Sequence, residues 1–349
     1  MSETLNTFPD YLPKGPTDPK QHRIGLIGCG SIAQYHLMAA QALGVEVVAL
    51  ADIRRESAEA LRERFFPRAR VFVDHRELIA CDDVTVVEVA THADVRIHQV
   101  ADALRAGKPV LSQKPLANRL EEARALADLA DSLGLQLGVN QNGRWSAHLG
   151  FTLALAASGR LGTIHSLDMC MSWDHTFMRG TASEQLHHLM LSDFAIHYFD
   201  FARQIFADRA VRSVFANAVK APQQDMQPPM LANCVMNFGD GLATLSLSSY
   251  ESKPEQEYLS CVGSKGSVRG LGKINRLKQL EWTDAEGTRS VELEGTEVVD
   301  RFRGTLGEFL RALEEGRPSS LNARDNLKSL ELCFAAMKSA DSGLAVRPG

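Results

Sequence analysis

The sequence predicts an α/β chain, with a doubly wound parallel sheet in its first part and a second domain built largely on an antiparallel sheet. Three observations carry that expectation. Residues 23–143 alternate short apolar runs with amphipathic stretches of helical length. A glycine-rich loop joins the first run to the first helix. Beyond residue 143 the rhythm changes to consecutive strand-like runs separated by Gly and Asp turns.

Strands are expected at 23–27, 45–52, 70–73, 84–90, 110–113 and 135–139, where β-branched and apolar residues cluster. Helices are expected between them at 31–43, 54–64, 94–106 and 119–133. Buried strands alternating with amphipathic helices indicate a parallel sheet covered on both faces. A helix at 147–158, a strand at 162–173 and a long helical stretch near 184–206 follow. Six further runs, 211–219, 231–239, 242–250, 256–262, 275–282 and 289–294, are joined by short turns, which favours antiparallel pairing. Helices at 301–315 and 322–341 close the chain.

At about 150 residues per domain, 349 residues make two domains. The composition, 44% hydrophobic and 23% charged, is that of a globular chain, and the net charge of −5 argues against a nucleic-acid partner. No apolar run approaches the roughly 18 residues that span a bilayer, so no membrane partner is expected. Residues 1–22 carry Pro9, Pro13, Pro16 and Pro19 and no signal-like apolar stretch. They read as a flexible tail on a cytoplasmic protein. The six cysteines form no C-x-x-C pair, which suggests free thiols.

Gly28-Cys29-Gly30-Ser31-Ile32-Ala33 follows a strand and opens a helix. In that context the first glycine allows the tight turn, the second lets a pyrophosphate approach the backbone, and Ala33 keeps the helix close to the sheet. Asp52, at the end of the second strand, suits both hydroxyls of an adenosine ribose and repels a 2′-phosphate. The expected cofactor is therefore NAD, with NADP as the alternative because Arg54 and Arg55 follow at once.

Lys114, after the fifth strand, sits at the edge where such sheets bind ligands. An exposed loop lysine is an equal reading from that segment alone. Asp193 and His197 are four apart and share a helix face, with Asp200 close by. A histidine beside a carboxylate is a candidate general base; a capping aspartate and a core histidine are the plainer alternative. His187 and His188 raise the question of a metal, but no H-E-x-x-H motif or cysteine cluster is present and none is expected. Polar candidates for substrate contact are Asn140, Gln141, Asn142 and Arg144, then Trp173, Asp174, His175 and Arg179.

Taken together, these motifs resemble the Gfo/Idh/MocA family (glucose–fructose oxidoreductase, inositol dehydrogenase, rhizopine catabolism). The resemblance runs from about residue 23 to the C-terminus. It rests on the Gly28–Ala33 loop, Asp52, Gly107-Lys108-Pro109-Val110-Leu111, Lys114-Pro115, Asp193-x-x-x-His197-x-x-Asp200 and the Gly263-Ser264-Lys265-Gly266-Ser267 turn. It implies a Rossmann domain over 23–143 and a C-terminal α/β domain over 144–349, with an open, mostly antiparallel sheet and the terminal helix packing back on the first domain. It also implies a homo-oligomer, dimer or tetramer, and Lys114, Asp193 and His197 as catalytic residues. The cofactor set it implies is Gly28, Gly30, Ser31, Ile32, Ala33, Asp52, Ile53, Thr91, His92, Gln113 and Lys114. Three positions depart from the family pattern. Gln113 stands where glutamate is usual, His92 where proline is usual, and Arg96 where a histidine is often found, with His98 two further on. The implied function is an NAD-dependent sugar or polyol dehydrogenase. An NAD-assisted glycosidase, a dinucleotide or sugar sensor, and a dihydrodiol- or biliverdin-type reductase are the alternatives.

Overall fold

The computed structural model describes residues 8–207, 209–274 and 276–349. These residues divide into two compact units. One comprises residues 13–142 and 298–330; the other comprises residues up to 12, residues 143–297 and residues 331–349.

The first unit holds six parallel strands in the order β3-β2-β1-β4-β5-β6. They are β1 (Arg23–Ile27), β2 (Glu46–Ala51), β3 (Arg70–Phe72), β4 (Val86–Val89), β5 (Val110–Gln113) and β6 (Leu137–Asn140). Every residue of β4, β5 and β6 is buried, because helices cover both faces. The crossovers are α1 (Ala33–Leu43), α2 (Arg55–Phe65), α4 (Ala93–Arg105) and α5 (Leu120–Ser132). A short helix, α3 (His75–Ile79), was not foreseen, being too short for a 3.6-residue period to show. Strand order reverses between β1 and β4, which places the switch point beside the loop after β1.

The second unit holds an eight-stranded sheet of order β14-β13-β12-β11-β7-β10-β9-β8. Its strands are β7 (Ile164–Ser172), β8 (Ser213–Val219), β9 (Leu231–Asn237), β10 (Leu242–Ser248), β11 (Gln256–Gly263), β12 (Gly266–Gly272), β13 (Gln279–Asp284) and β14 (Gly287–Glu292). All neighbours are antiparallel except β7 and β10. Alternate residues such as Leu167, Met169 and Met171 of β7 face the core. That core also takes side chains from α6 (Ala147–Ala157), α7 (Ala195–Ile205) and α9 (Ala323–Ser342). Strand β12 lies where the sequence suggested only a turn; its glycines weaken the strand signal.

Three expectations are corrected. Helix α8 (Val298–Glu314) and the first turns of α9 group with the parallel sheet, so the first unit is not one continuous segment. In α8, Phe302 stacks on Tyr35 of α1 at 5.5 Å and meets His36 edge-on at 5.1 Å.

The stretch 184–206 is not one helix. A 3-10 turn at Ala182–Gln185 is followed by an irregular link, a π turn at Met190–Phe194 and then α7. Leu189, Met190 and Leu191 are all buried, and three successive positions do not fit one face of an α-helix. The wider turn resolves the conflict.

The expected tail is the third correction. Met1–Thr7 lie outside the described residues, but residues 8–22 are packed. Phe8 and Tyr11 meet Phe151 edge-on at 5.8 and 5.5 Å. Thr17 donates to Glu314 from both its amide (2.7 Å) and its hydroxyl (2.6 Å), and the Asp18 amide donates at 3.0 Å. Among the described residues no helix is long and apolar enough to cross a membrane.

Burial alone would raise the Glu314 pKa, but the bonds from Thr17, Asp18 and His22 outweigh it and hold it at about 2. Because the folded value is depressed, the contribution is present above the ordinary carboxylate range and is lost as pH falls from about 4.5 toward about 2. Glu314→Gln is expected to cost about 1–2 kcal/mol at pH 7, with the difference from the parent chain closing in denaturation curves taken at progressively lower pH.

Candidate functional site

In the parallel-sheet unit, the carboxyl ends of β1, β2, β4, β5 and β6 bring Gly28, Asp52, Thr91, Gln113 and Asn140 to one edge. Gly28 has φ +94°, and a Cβ there would lie 2.7 Å from Thr91 Cγ2, so only glycine fits. A Cβ at Gly30 would meet nothing within 4 Å, which leaves the approach to the loop backbone open. Helix α1 begins at Ala33, two residues later than expected, and no side chain caps it, so its positive end faces the same space. Ser31 and Ile32 form the turn before it.

Asp52 accepts the Cys29 amide on Oδ2 (2.8 Å) and the Arg54 amide on Oδ1 (2.9 Å). Each oxygen keeps a further acceptor direction, the pattern needed for two ribose hydroxyls. Arg54 lies only 3.9 Å from the carboxylate and its side chain is exposed. Ile53 beside it is 85% exposed, an apolar surface suited to an adenine face. Burial, and then the Asp52 charge, push the Cys29 thiol up to about 12, so this cysteine is no nucleophile. The open cradle at Gly30, the uncapped helix and the anchored acid fit a dinucleotide.

Arg96 is a residue whose role the sequence did not reveal. Buried in α4, it donates to the carbonyls of Thr91 (3.0 Å from Nε), Gln113 (2.7 Å) and Pro115. It thereby ties the segment after β4 to the one carrying Lys114. Gln113 accepts the Lys114 amide on Oε1 at 2.7 Å, a task that a neutral amide oxygen performs as well as a carboxylate. His92 caps α4 through its backbone position and is exposed, as is His98. Below this edge, the buried His36 ring meets Glu88 at 2.6 Å, and Asn140 lies 3.5 Å from its other nitrogen.

In the other unit, Asp193 sits in the π turn and His197 in the first turn of α7, both half-buried. The sequence did not single out Gly143. A Cβ there would stand 3.0 Å from the His197 Cβ and 3.1 Å from Nδ1, so the imidazole rests close against this backbone and any side chain at 143 would press on it. Asp200 faces inward. Arg144 grips it with Nε (2.7 Å) and Nη2 (2.8 Å), Arg203 adds 2.9 Å and Gln204 2.8 Å.

The remaining expected substrate residues take part in bonds of their own. Asn142 accepts from Arg301 at 3.0 Å. Asp174 accepts the Thr176 amide at 3.0 Å; burial works to raise its pKa, but the Thr176 bonds outweigh it and the net shift is downward. His175 is fully buried, bonded through Nδ1 to the Trp173 carbonyl and packed 3.8 Å from the Phe194 ring. Arg179 pairs with Asp225 at the surface (2.7 Å). His187 and His188, raised in the sequence as metal candidates, lie beside Asp341.

Residues 22–141 match the profile of the oxidoreductase family with an NAD-binding Rossmann fold, and residues 153–269 match the GFO/IDH/MocA C-terminal domain. The chain belongs to the Gfo/Idh/MocA family. It is similar to D-apiose dehydrogenase of Paraburkholderia graminis, with 26% identity over 95% of this chain and 90% of that protein. A 117-residue stretch, 33% of this chain and 35% of the relative, is 38% identical to inositol 2-dehydrogenase of Agrobacterium fabrum. An oxidoreductase from Agrobacterium radiobacter, solved with NAD+, L-tartaric acid and magnesium, has the same fold. The TM-score is 0.85 at 22% identity, over 94% of this chain and 98% of that one. This Gfo/Idh/MocA protein is thus an oxidoreductase with an NAD-binding Rossmann domain.

Asp200→Ala removes the carboxylate that two buried arginines share. The expected loss of stability is about 3–5 kcal/mol, read as a lowered thermal midpoint. A midpoint unchanged from the parent chain would show that the pair contributes nothing.

Proposed function

We propose that the protein is an NAD-dependent dehydrogenase that moves hydride between a sugar or polyol carbinol, the anomeric carbon of an aldose included, and nicotinamide. The observation that carries this reading is His197, a half-buried imidazole set against Gly143 in the first turn of α7, four residues beyond Asp193. Similarity to relatives named D-apiose dehydrogenase and inositol 2-dehydrogenase supports a polyhydroxylated substrate.

In this reading Gly28, Gly30 and the start of α1 bind the pyrophosphate, and Asp52 and Ile53 hold the adenosine end. Thr91, His92, Gln113 and Lys114 serve the nicotinamide side. When bound, the nicotinamide supplies the hydride acceptor. His197 takes the hydroxyl proton as general base, and Asp193 orients the ring and stabilises its charge. Lys114 donates a hydrogen bond to the reacting oxygen. Gln141, with both amide atoms buried and without partners among the described residues, and Asn140, whose Oδ1 is likewise unpartnered, are the polar groups we assign to substrate or cofactor hydroxyls.

The outer face of the eight-stranded sheet exposes Phe215 of β8 beside its register partner Val235 of β9. We assign that face to subunit contact in a homo-oligomer. Six free cysteines suit a reducing compartment, and we place the protein in the cytoplasm.

His197→Ala is expected to lower turnover roughly 10²–10⁴-fold while NAD binding and the thermal midpoint stay unchanged. NADH formation from a panel of aldoses, inositols and polyols gives the readout. Joint loss of fold and cofactor binding would make His197 a core residue and overturn the role.

Asp52→Ala is expected to raise the Kd for NAD on the order of 10–100-fold, the worth of charge-assisted hydrogen bonds. The same change should narrow the gap to NADP. An unchanged NAD/NADP ratio would refute the selectivity assigned to Asp52.

A further inference from the structure

The clustered side chains His187, His188 and Asp341 lie apart from the groups assigned above. Their ligand atoms all lie within 4.8 Å of one another. His188 Nε2 is 3.0 Å and His187 Nε2 4.0 Å from the same Asp341 oxygen, and the two rings are T-shaped at 4.6 Å. We propose that these three residues form a binding site for a divalent transition-metal ion of the zinc class, which clamps the segment before the π turn to the end of α9.

The geometry suits that ion. Bonds of about 2.0–2.2 Å in a tetrahedral arrangement set neighbouring ligand atoms about 3.3 Å apart. One pair is already near that spacing. The other two close by rotation of side chains that have room to turn, since His187 is 70% and Asp341 61% exposed. Two imidazoles and one carboxylate are the donor set of zinc-class ions rather than of calcium or magnesium, which prefer all-oxygen shells.

The placement of His188 gives a second, independent reason. Its side chain is only 9% exposed, and its Nδ1 is buried with no hydrogen-bond partner among the described residues. No partner on Nδ1 therefore fixes the ring's tautomer, while Nε2 points at an oxygen that a second imidazole also approaches. A cation placed among the three would take Nε2 of His188, a nitrogen of His187 and the shared Asp341 oxygen, and it would fix His188 Nδ1 as the protonated nitrogen. The missing partner on Nδ1 also sets the strength. Tight structural zinc sites brace the second ring nitrogen, so this one binds in the micromolar range and exchanges, with its remaining position open to water.

Occupancy has a structural consequence. The His188 carbonyl accepts both the amide (2.8 Å) and the hydroxyl (2.9 Å) of Ser192, the residue before Asp193. Asp341 stands in the last turn of α9, whose Ser339 binds the Ala216 amide of β8 at 2.9 Å. A metal ion there ties the entrance of the π turn to an element anchored on the sheet.

The test is calorimetric titration of the full chain with Zn2+ alone, in a buffer that does not chelate it. One equivalent should bind in the micromolar range and raise the thermal midpoint. His187→Gln, at an exposed position where folding is not at stake, and Asp341→Asn should each weaken binding at least tenfold. His165→Gln, an exposed histidine outside the cluster, should leave it unchanged. Absence of binding to the parent chain, or equal affinity in the His187 and Asp341 variants, overturns the proposal. Neither readout depends on turnover, so the result stands apart from the fate of the dehydrogenase reading.

Discussion

The buried carboxylate of Asp200 is the interaction on which the antiparallel-sheet unit's candidate catalytic segment depends. A charge so deep in protein persists only when it is paired and hydrogen-bonded. Here Arg144 contributes a bidentate grip and Arg203 a third bond. Arg144 follows Gly143 directly, and Asp200 lies on the same helix as His197. The ion pair therefore sets the position of the Gly143 backbone against α7. His197 is held against a main-chain surface because a pair three residues along its helix fixes that surface.

A comparable economy operates in the parallel-sheet unit, with backbone groups in place of carboxylates. Asp52 is oriented by two amides, and the Lys114 segment is held by one arginine donating to three carbonyls. Main-chain partners do not titrate in the working range and do not compete with a ligand for charge. They orient the Asp52 carboxylate and hold the Lys114 segment in position. Replacement of glutamate by Gln113 is tolerable for the same reason, since the bond it makes to the Lys114 amide needs only an oxygen acceptor.

The parallel half was legible in the sequence because its signals are local. Apolar strands, the glycine loop and the acid after β2 lie within a few residues of one another, and strand positions fell within two residues of those observed. Long-range features were not legible. Grouping of α8 with the first unit depends on Phe302 meeting Tyr35, a residue 267 positions earlier in the sequence. The π turn arises from competition between three consecutive core residues and helical geometry, which a periodicity count averages away. In the candidate site, the sequence names polar residues but not the partners that they engage. Arg144 read as a hydroxyl binder because an arginine beside a domain boundary is polar and within reach. Nothing local to residue 144 announces a carboxylate 56 positions later.

Those engagements bear on what a substrate can meet. Asn142, Arg144, Asp174, His175 and Arg179 each make an internal hydrogen bond or ion pair. A ligand that recruited one of them would have to break a bond already made, and the net gain would be small. Gln141 differs, since burial has stripped water from both its amide oxygen and its amide nitrogen with no partner among the described residues. An unsatisfied buried amide costs about 1–3 kcal/mol, a deficit that a ligand removes only by offering a donor and an acceptor together. A hydroxyl offers both and a hydrocarbon ring neither. In the proposed reading, Gln141 is the group that a substrate or cofactor hydroxyl satisfies, because its amide donor and acceptor are both unmatched among the described residues.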